Sequence, residues 1–242
     1  MAVSVSVGAL VWGGTVYADS APITNRPEPD ATALTVDGTA VPFRAVSIAM
    51  ARERSTVVSD SGGAASSSPD FWQMKTGNTT PAERLVDRAR RDVVRLQVQL
   101  ELAKVSGVDA PTSYPQVLQA WQLENGRRAE ALRTGKPVYG PQQFTESDYL
   151  DYFTGNLSQA TESALVKRGR LDDSESGARR FQRTHQDRFP GTFDTIRQQV
   201  TMAYVESQYT ELLDRKIDHV SVRGTALLAE LPRYRCVADG SC

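Results

Sequence analysis

The segment LDDSESGARRFQRTHQDRF, residues 171–189, carries the most specific pattern in this chain. Asp172 and Glu175 stand at its start, where the positive end of a helix dipole favours carboxylates. Basic and aromatic residues follow and end in His185 and Phe189. The pattern predicts a short amphipathic helix with an aromatic and basic exit. The dipole explains the acidic start without a metal ion, and a helix C-terminal position explains His185 better than a role as catalytic base.

Helical patterns extend on both sides of this segment. Thr80, Pro81 and Glu83 form a capping box with proline at the first helical position, which is a strong helix start. Apolar residues then recur at helical spacing, so one face of the helix is expected to be buried. The predicted long helices run over residues 80–107, 113–135, 145–169 and 192–218.

Short extended segments stand near both ends of the helical region. Residues 33–42, ALTVDGTAVP, predict a strand, an Asp-Gly turn and the approach to a helix that runs from Phe43 to about Arg54. Val220–Val222 predicts a second short strand, and Thr225–Leu231 a final helical turn. Residues 59–70 are rich in Gly and Ser and predict a flexible loop.

Composition excludes several classes of function. The chain has 242 residues, is 40% hydrophobic and carries a formal net charge of −1. This charge gives no reason to expect a nucleic-acid partner. With two histidines and two cysteines at unsuitable spacing, we expect no zinc site and no cofactor.

The first residues predict export. Residues 1–18 are uncharged and rich in Val and Gly, and they end in Val16-Tyr17-Ala18, which is typical of a signal peptide with Ala18 as the last residue removed. An uncleaved membrane tether through residues 2–17 and an N-terminal core strand are the alternatives. Residues 19–32 contain three prolines and predict a linker. The expected location is extracytoplasmic, secreted or anchored.

The only cysteines lie in the predicted C-terminal tail, residues 232–242. In an oxidising compartment Cys236 and Cys242 can close a small disulfide loop. Two free thiols are the alternative, and the sequence leaves this open.

The order of these elements resembles the N-domain of SurA/PrsA-type extracytoplasmic chaperones. Residues 33–41 are similar to the opening strand and turn of that family, and 83–107 to its long helix. Residues 172–189 are similar to its exit motif, with Arg180-Phe181 where the family has Tyr-Tyr and Gln186 where it has Lys. The resemblance covers residues 33–231. It implies a mainly α domain in which Leu34–Val36 pairs with Val220–Val222, so that a short strand pair joins the two ends.

The departure from the family concerns its parvulin isomerase module, which is inserted after the exit segment. Here Phe189-Pro190-Gly191-Thr192 leads directly into the last long helix. The resemblance therefore implies a non-catalytic chaperone-like protein that binds unfolded or extended polypeptide. The alternative is a peptidyl-prolyl isomerase-related folding enzyme.

Aromatic residues of the middle helices are the candidate client-binding site. They are Trp121, Tyr149, Tyr152 and Phe153. Plain core packing is the alternative, because a client groove and a core stripe have the same periodicity. Tyr152 and Phe153 are about 100° apart on a helix, so they cannot point the same way. We expect Tyr152, which has a polar tip, at the edge of the groove.

Overall fold

The computed structural model describes residues 23–63 and 68–242 of the chain. The predicted signal peptide or tether lies outside these residues. Within them, no helix is long and apolar enough to cross a bilayer. The fold is mainly α, as predicted, with one small sheet. The helices are α1 (Phe43–Asp60), α2 (Pro69–Gln73), α3 (Pro81–Val105), α4 (Tyr114–Arg133), α5 (Glu146–Lys167), α6 (Glu175–Thr184), α7 (Phe193–His219), α8 (Ala226–Glu230) and α9 (Arg235–Asp239).

A three-stranded antiparallel sheet joins the two ends of the helical region. Its strands are β1 (Thr32–Val36), β2 (Thr39–Pro42) and β3 (Val222–Gly224), in the order β2-β1-β3. Asp37 and Gly38 both have positive φ, 47° and 81°, as a two-residue hairpin requires. Pairing between the ends was expected, but the register differs: Val36 lies opposite Val222 and Leu34 opposite Gly224. The difference arises because α7 continues to His219 and Val220 is its C-cap.

Helix α3 lies at the centre of the main core. The capping box predicted from Thr80 and Glu83 is present, with Thr80 Oγ1 accepting from the Glu83 amide at 3.1 Å. Twelve of the 25 residues of α3 are buried, so its apolar face is wide enough to contact several neighbours. It packs against α1, α5, α7 and β1. Helix α3 therefore lies between α1, which precedes it in the chain, and α7, which follows it.

Helices α6 and α7 form a hairpin with a small core of its own, which we call the arm. Ala178, Phe189, Phe193 and Val200 are buried together and are separate from the main core. Ser174 caps α6 by accepting from the Gly177 amide at 3.1 Å. A Cβ on Gly177 would lie 2.5 Å from the ring of Tyr204 and 2.5 Å from Asp172 Oδ2, so a larger residue here would have to displace these two side chains. The helix predicted from residues 171–189 thus packs on the start of α7.

Some predicted loop and terminal segments are structured. Helix α1 continues to Asp60, and α2 begins at Pro69, inside the range predicted as a loop. Tyr234 pairs with Ile23, so part of the predicted linker lies beside the C-terminal residues. Val237 is buried in the main core, and Cys236 and Cys242 form a disulfide. The segment predicted as a tail is therefore folded onto the domain.

Arg54 fixes this C-terminal segment to α1. Its guanidinium donates to the carbonyls of Val237 (2.7 Å) and Ala238 (2.6 Å). The same group lies 4.1 Å from the ring centroid of Trp72, which is fully buried. Burial lowers the pKa of Arg54 from its ordinary value, and the carboxylate of Asp239 partly offsets this. One cation thus links α1, α2 and α9.

We expect Arg54→Ala to lower the free energy of unfolding by about 1–3 kcal/mol, because two carbonyls lose a charged donor. Arg52→Ala is the matched control on the same helix. Arg52 pairs with Asp151 at the surface, and such a pair contributes about 0–1 kcal/mol. Urea denaturation followed by circular dichroism measures both. Equal losses in the two variants would contradict a specific role for Arg54.

Candidate functional site

The four predicted client-binding residues lie together in the structure. They pack around Phe144, which the sequence analysis did not select, and we call the five rings the aromatic cluster: Trp121, Phe144, Tyr149, Tyr152 and Phe153. The Phe144 ring centroid is 5.1 Å from that of Tyr152 in a stacked arrangement and 5.9 Å from that of Tyr149. Phe153 stacks on Tyr149 at 6.1 Å. The cluster therefore joins α4, the loop after it, and the first turns of α5.

Burial divides the cluster into a base and an edge. Tyr149 and Phe153 are 6% and 9% exposed, so they belong to the core. They do not line an open groove, although both were among the predicted client-binding residues. Trp121 is half-buried, and Tyr152 is 47% exposed. Tyr152 thus lies at the solvent edge of the cluster, as the helix geometry predicted. The set of residues available to a partner is reduced to Tyr152 and part of Trp121.

Polar contacts hold Phe144 in place. The Trp121 indole Nε1 and the Asn125 amide both donate to the Phe144 carbonyl at 3.0 Å. Asn125 also accepts from the Phe144 amide N–H at 2.9 Å. Both backbone groups of Phe144 are therefore satisfied by side chains of α4. These contacts fix the position of Phe144, whose ring stacks on Tyr152.

A buried arginine fixes the loop between α4 and α5. Arg128 lies 4.3 Å from the Phe144 ring centroid and donates to the carbonyls of Tyr139 (2.9 Å) and Pro141 (2.6 Å). Glu124 accepts from Arg128 at 2.8 Å. Hydrogen bonds from Arg127, and then from Arg128, lower the pKa of Glu124. Residues of this kind are hard to select from sequence because Arg and Glu four residues apart usually lie on a solvated face.

Apolar side chains are exposed near the cluster. Tyr139, on the loop that Arg128 holds, is 86% exposed. Leu123 and Leu132 of α4 are 68% and 42% exposed. They are nine residues apart in the sequence, which places them on opposite sides of the helix at about 100° per residue. Tyr139 is therefore the exposed residue that the contacts of Arg128 place near the cluster.

A cleft of about 490 Å³ lies on another side of α5, against α1 and α3. Ile48, Leu96 and Leu150 line its apolar part, and Arg52 and Asp151 lie at its rim. Tyr114, also in its wall, donates to Glu146 at 2.6 Å, and Glu146 forms an ion pair with Arg44 at 2.7 Å. Burial, together with the bond to Glu146, raises the pKa of Tyr114. This hydrogen-bonded group is a structural link between α1, α4 and α5.

The other polar residues weighed from the sequence have structural partners. His185 is the C-cap of α6, with Nδ1 2.9 Å from the Phe181 carbonyl and its ring stacked on Phe181. Asp172 accepts from Tyr204 Oη at 3.0 Å and from the Ser174 amide at 2.9 Å. In residues 23–63 and 68–242, no group of three or more His, Cys, Asp or Glu side chains is arranged to hold a metal.

Comparison of the chain with protein-family models, curated protein sequences and solved structures gives no match. Membership of the SurA/PrsA family stays a prediction.

Glu162 of α5 gives the fold a pH dependence. Burial and the neighbouring Glu206 of α7 raise its pKa to about 7. The folded state therefore holds a proton that the unfolded chain, with a glutamate pKa near 4.3, releases at lower pH. Stability contributed by the protonated group is fully present below about pH 4.3, the unfolded pKa, and is lost as pH rises from there through about 7.

We expect Glu162→Gln to raise the melting temperature at pH 8 and to raise it much less at pH 5, because glutamine mimics the protonated side chain. Glu211→Gln, an exposed glutamate on α7, is the control. Differential scanning fluorimetry from pH 5 to pH 8 measures both variants. An equal shift at both pH values would contradict the titration of Glu162.

Proposed function

We propose that this protein is a non-catalytic, exported, chaperone-like module that binds unfolded or extended polypeptide segments at the edge of the aromatic cluster. The observation that carries the proposal is Tyr152, a large aromatic side chain 47% exposed and stacked at 5.1 Å on the buried Phe144. An aromatic residue at a binding surface supplies a large contact area at low entropic cost when it is already held in position. The base of the cluster holds Tyr152 in this way.

The surroundings of Tyr152 suit an apolar client segment. Tyr139, on the loop that Arg128 holds against the Phe144 ring, adds a second exposed aromatic side chain to the same helix–loop–helix unit. Clusters of exposed apolar side chains on a soluble domain are typical of interaction sites. Arg127 and Glu124 form an ion pair at 2.7 Å beside them and give the surface a polar border. The arrangement favours short apolar stretches bounded by polar residues.

Client specificity on this surface is expected to be low. Tyr152 and Tyr139 offer area and shape, and Tyr152 Oη is a single polar group for orientation. Side-chain contacts of this kind discriminate apolar residues by only about 1–3 kcal/mol. A chaperone-like binder needs such tolerance, because unfolded chains present many different sequences.

We expect Tyr152→Ala to weaken binding of a labelled, uncharged peptide rich in Leu and Phe by about fivefold, or about 1 kcal/mol, through loss of apolar area. The free energy of unfolding is expected to change by less than about 1 kcal/mol, the usual range for a partly exposed site. Fluorescence anisotropy measures the binding, and urea denaturation the stability.

Two matched variants complete this experiment. Phe153→Ala, the neighbour in sequence, removes a buried ring and is expected to cost about 3–5 kcal/mol of stability. Met202→Ala removes a side chain that is 60% exposed on α7, outside the cluster, and is expected to change neither quantity. A large stability loss for Tyr152→Ala with unchanged binding per folded molecule would assign Tyr152 to the core and remove the proposed site.

We expect the purified chain to suppress aggregation of an unfolded client without accelerating prolyl isomerisation. Light scattering measures the first, and a proline-limited refolding assay the second. The alternative function, an isomerase-related folding enzyme, predicts acceleration. A measurable rate that disappears in His185→Ala would overturn the non-catalytic proposal.

A further inference from the structure

A second cleft lies between α3, the end of α7 and the β1–β2 turn, and it encloses about 790 Å³. Its charged lining is mainly cationic, so we call it the basic cleft. The cationic residues and the histidine that line it are Lys104, Arg170, Arg215, Lys216 and His219. Asp37 and Glu101 are its acidic lining residues. The cleft contains none of the residues of the aromatic cluster.

Most of the cleft's cations have no strong ion pair, whereas its acidic groups have partners. Among the described residues, Arg170 and Lys216 make no side-chain ion pair, and Arg215 reaches Glu211 only at 3.8 Å. Asp37 accepts from the Ser221 amide at 2.9 Å. Glu101 is 3.5 Å from Lys104. Among the described residues, the lining therefore keeps a net positive charge, which Asp37, Glu101 and the nearby Glu211 reduce but do not cancel.

The floor of the basic cleft is aliphatic. Val36, Val98 and Leu102 are buried beneath it, and Leu212 and Val220 of the α7 side are half-buried. A ligand that fits this surface has aliphatic groups facing the floor and negative groups facing the rim. Charge complementarity of this kind guides association and fixes orientation.

The length of the cleft follows from contacts at its two ends. At one end the Asp172 amide donates to Gln208 of α7 at 2.9 Å, which places Arg170 near the start of the 212–220 stretch. At the other end Asp37 and Ser221 exchange hydrogen bonds at 2.9 Å. Residues 212–220 of a helix span about 12 Å at 1.5 Å per residue. An extended chain covers this distance with about four residues.

We propose that the basic cleft binds an extended acidic polypeptide segment in which carboxylate and aliphatic side chains alternate. In an extended chain successive side chains point to opposite sides, so aliphatic groups can face the floor while carboxylates meet the rim. The cations come from α3, the segment after α5, and α7, and they are spread along the cleft. A fatty acid has a single head group and would use only one end of this row.

Helix dipoles alone do not account for the arrangement. Lys104, Lys216 and His219 lie in the last turns of α3 and α7, where the dipole favours cations. Arg170 lies outside both helices and still lines the same cleft. The proposal rests on the proposed function in that the ligand is a polypeptide, but it concerns a different surface and a different class of segment.

The test uses the full chain and a fluorescein-labelled peptide of alternating Glu and Val. Arg170→Glu/Lys216→Glu reverses two cations of the cleft. Lys136→Glu/Arg183→Glu reverses two exposed cations outside it and changes the net charge equally. We expect the first double variant to bind the peptide at least about tenfold more weakly, and the control to keep the wild-type affinity within about twofold. Raising the salt concentration is expected to weaken wild-type binding.

Arg170→Gln/Lys216→Gln is a second, milder variant that keeps the test valid if the charge reversal unfolds the chain. Equal weakening in the cleft and control variants would show only a net-charge effect and would overturn the proposal. Binding of a Lys–Val peptide as tight as that of the Glu–Val peptide would do the same. Displacement of the Glu–Val peptide by a fatty acid at similar concentration would assign the cleft to a lipid and also overturn it.

The two proposals fail separately in these measurements. If the uncharged Leu and Phe peptide does not bind but the Glu–Val peptide does, the aromatic edge is wrong and the basic cleft stands. If Tyr152→Ala affects only the uncharged peptide and the cleft variants affect neither, the proposed function stands and the basic cleft is wrong.

Discussion

Burial of α3 on several sides at once is the constraint on which the rest of the structure depends. An amphipathic helix at a domain surface covers one partner, but twelve buried positions on α3 require α1, α5 and α7 together. Because α1 and α7 flank α3, the strands that precede α1 and follow α7 come close enough to pair. The sheet β2-β1-β3 thus closes the two ends of the domain beside the helix packing. Residues of α3 line both clefts described above.

Packing around α3 also explains where apolar surface stays exposed. Helix α4 contacts mainly α5 and lies away from α3, so it buries four residues and leaves Leu123 exposed. Its position instead depends on specific polar contacts, those of Arg128 and Asn125 with the loop before α5. A buried charged group held by carbonyls is costly to leave unpaired, so it specifies one loop geometry. That geometry is what holds Phe144 under Tyr152.

The two proposed surfaces use different physics to recognise polypeptide. The edge of the aromatic cluster offers apolar area on a rigid base and is insensitive to salt. The basic cleft offers charge over an aliphatic floor, so its affinity depends on screening. A binder with both would hold apolar stretches and acidic stretches of one unfolded chain, and two linked weak sites raise overall affinity when the linker spans them. Neither of these surfaces includes the arm, which has its own small core and an exposed Met202.

Signals that act within a few residues were enough to predict much of the local structure. They are the capping box at Thr80, the Asp-Gly turn and the spacing of apolar residues, and they predicted the long helices, the first strand and its turn, although not the second strand β2. Helix geometry alone also separated Tyr152 from Phe153. Features that depend on residues distant in the chain could not be predicted in this way. Phe144 and Arg128 join the site because α4 contacts the loop that follows it. Val237 is part of the core because Arg54, Gln73 and Ile23 hold the C-terminal segment against the domain. The burial and the charge pairing of a side chain depend on all the residues that surround it in the fold. The spacing of apolar residues along the sequence does not tell which distant residues these are.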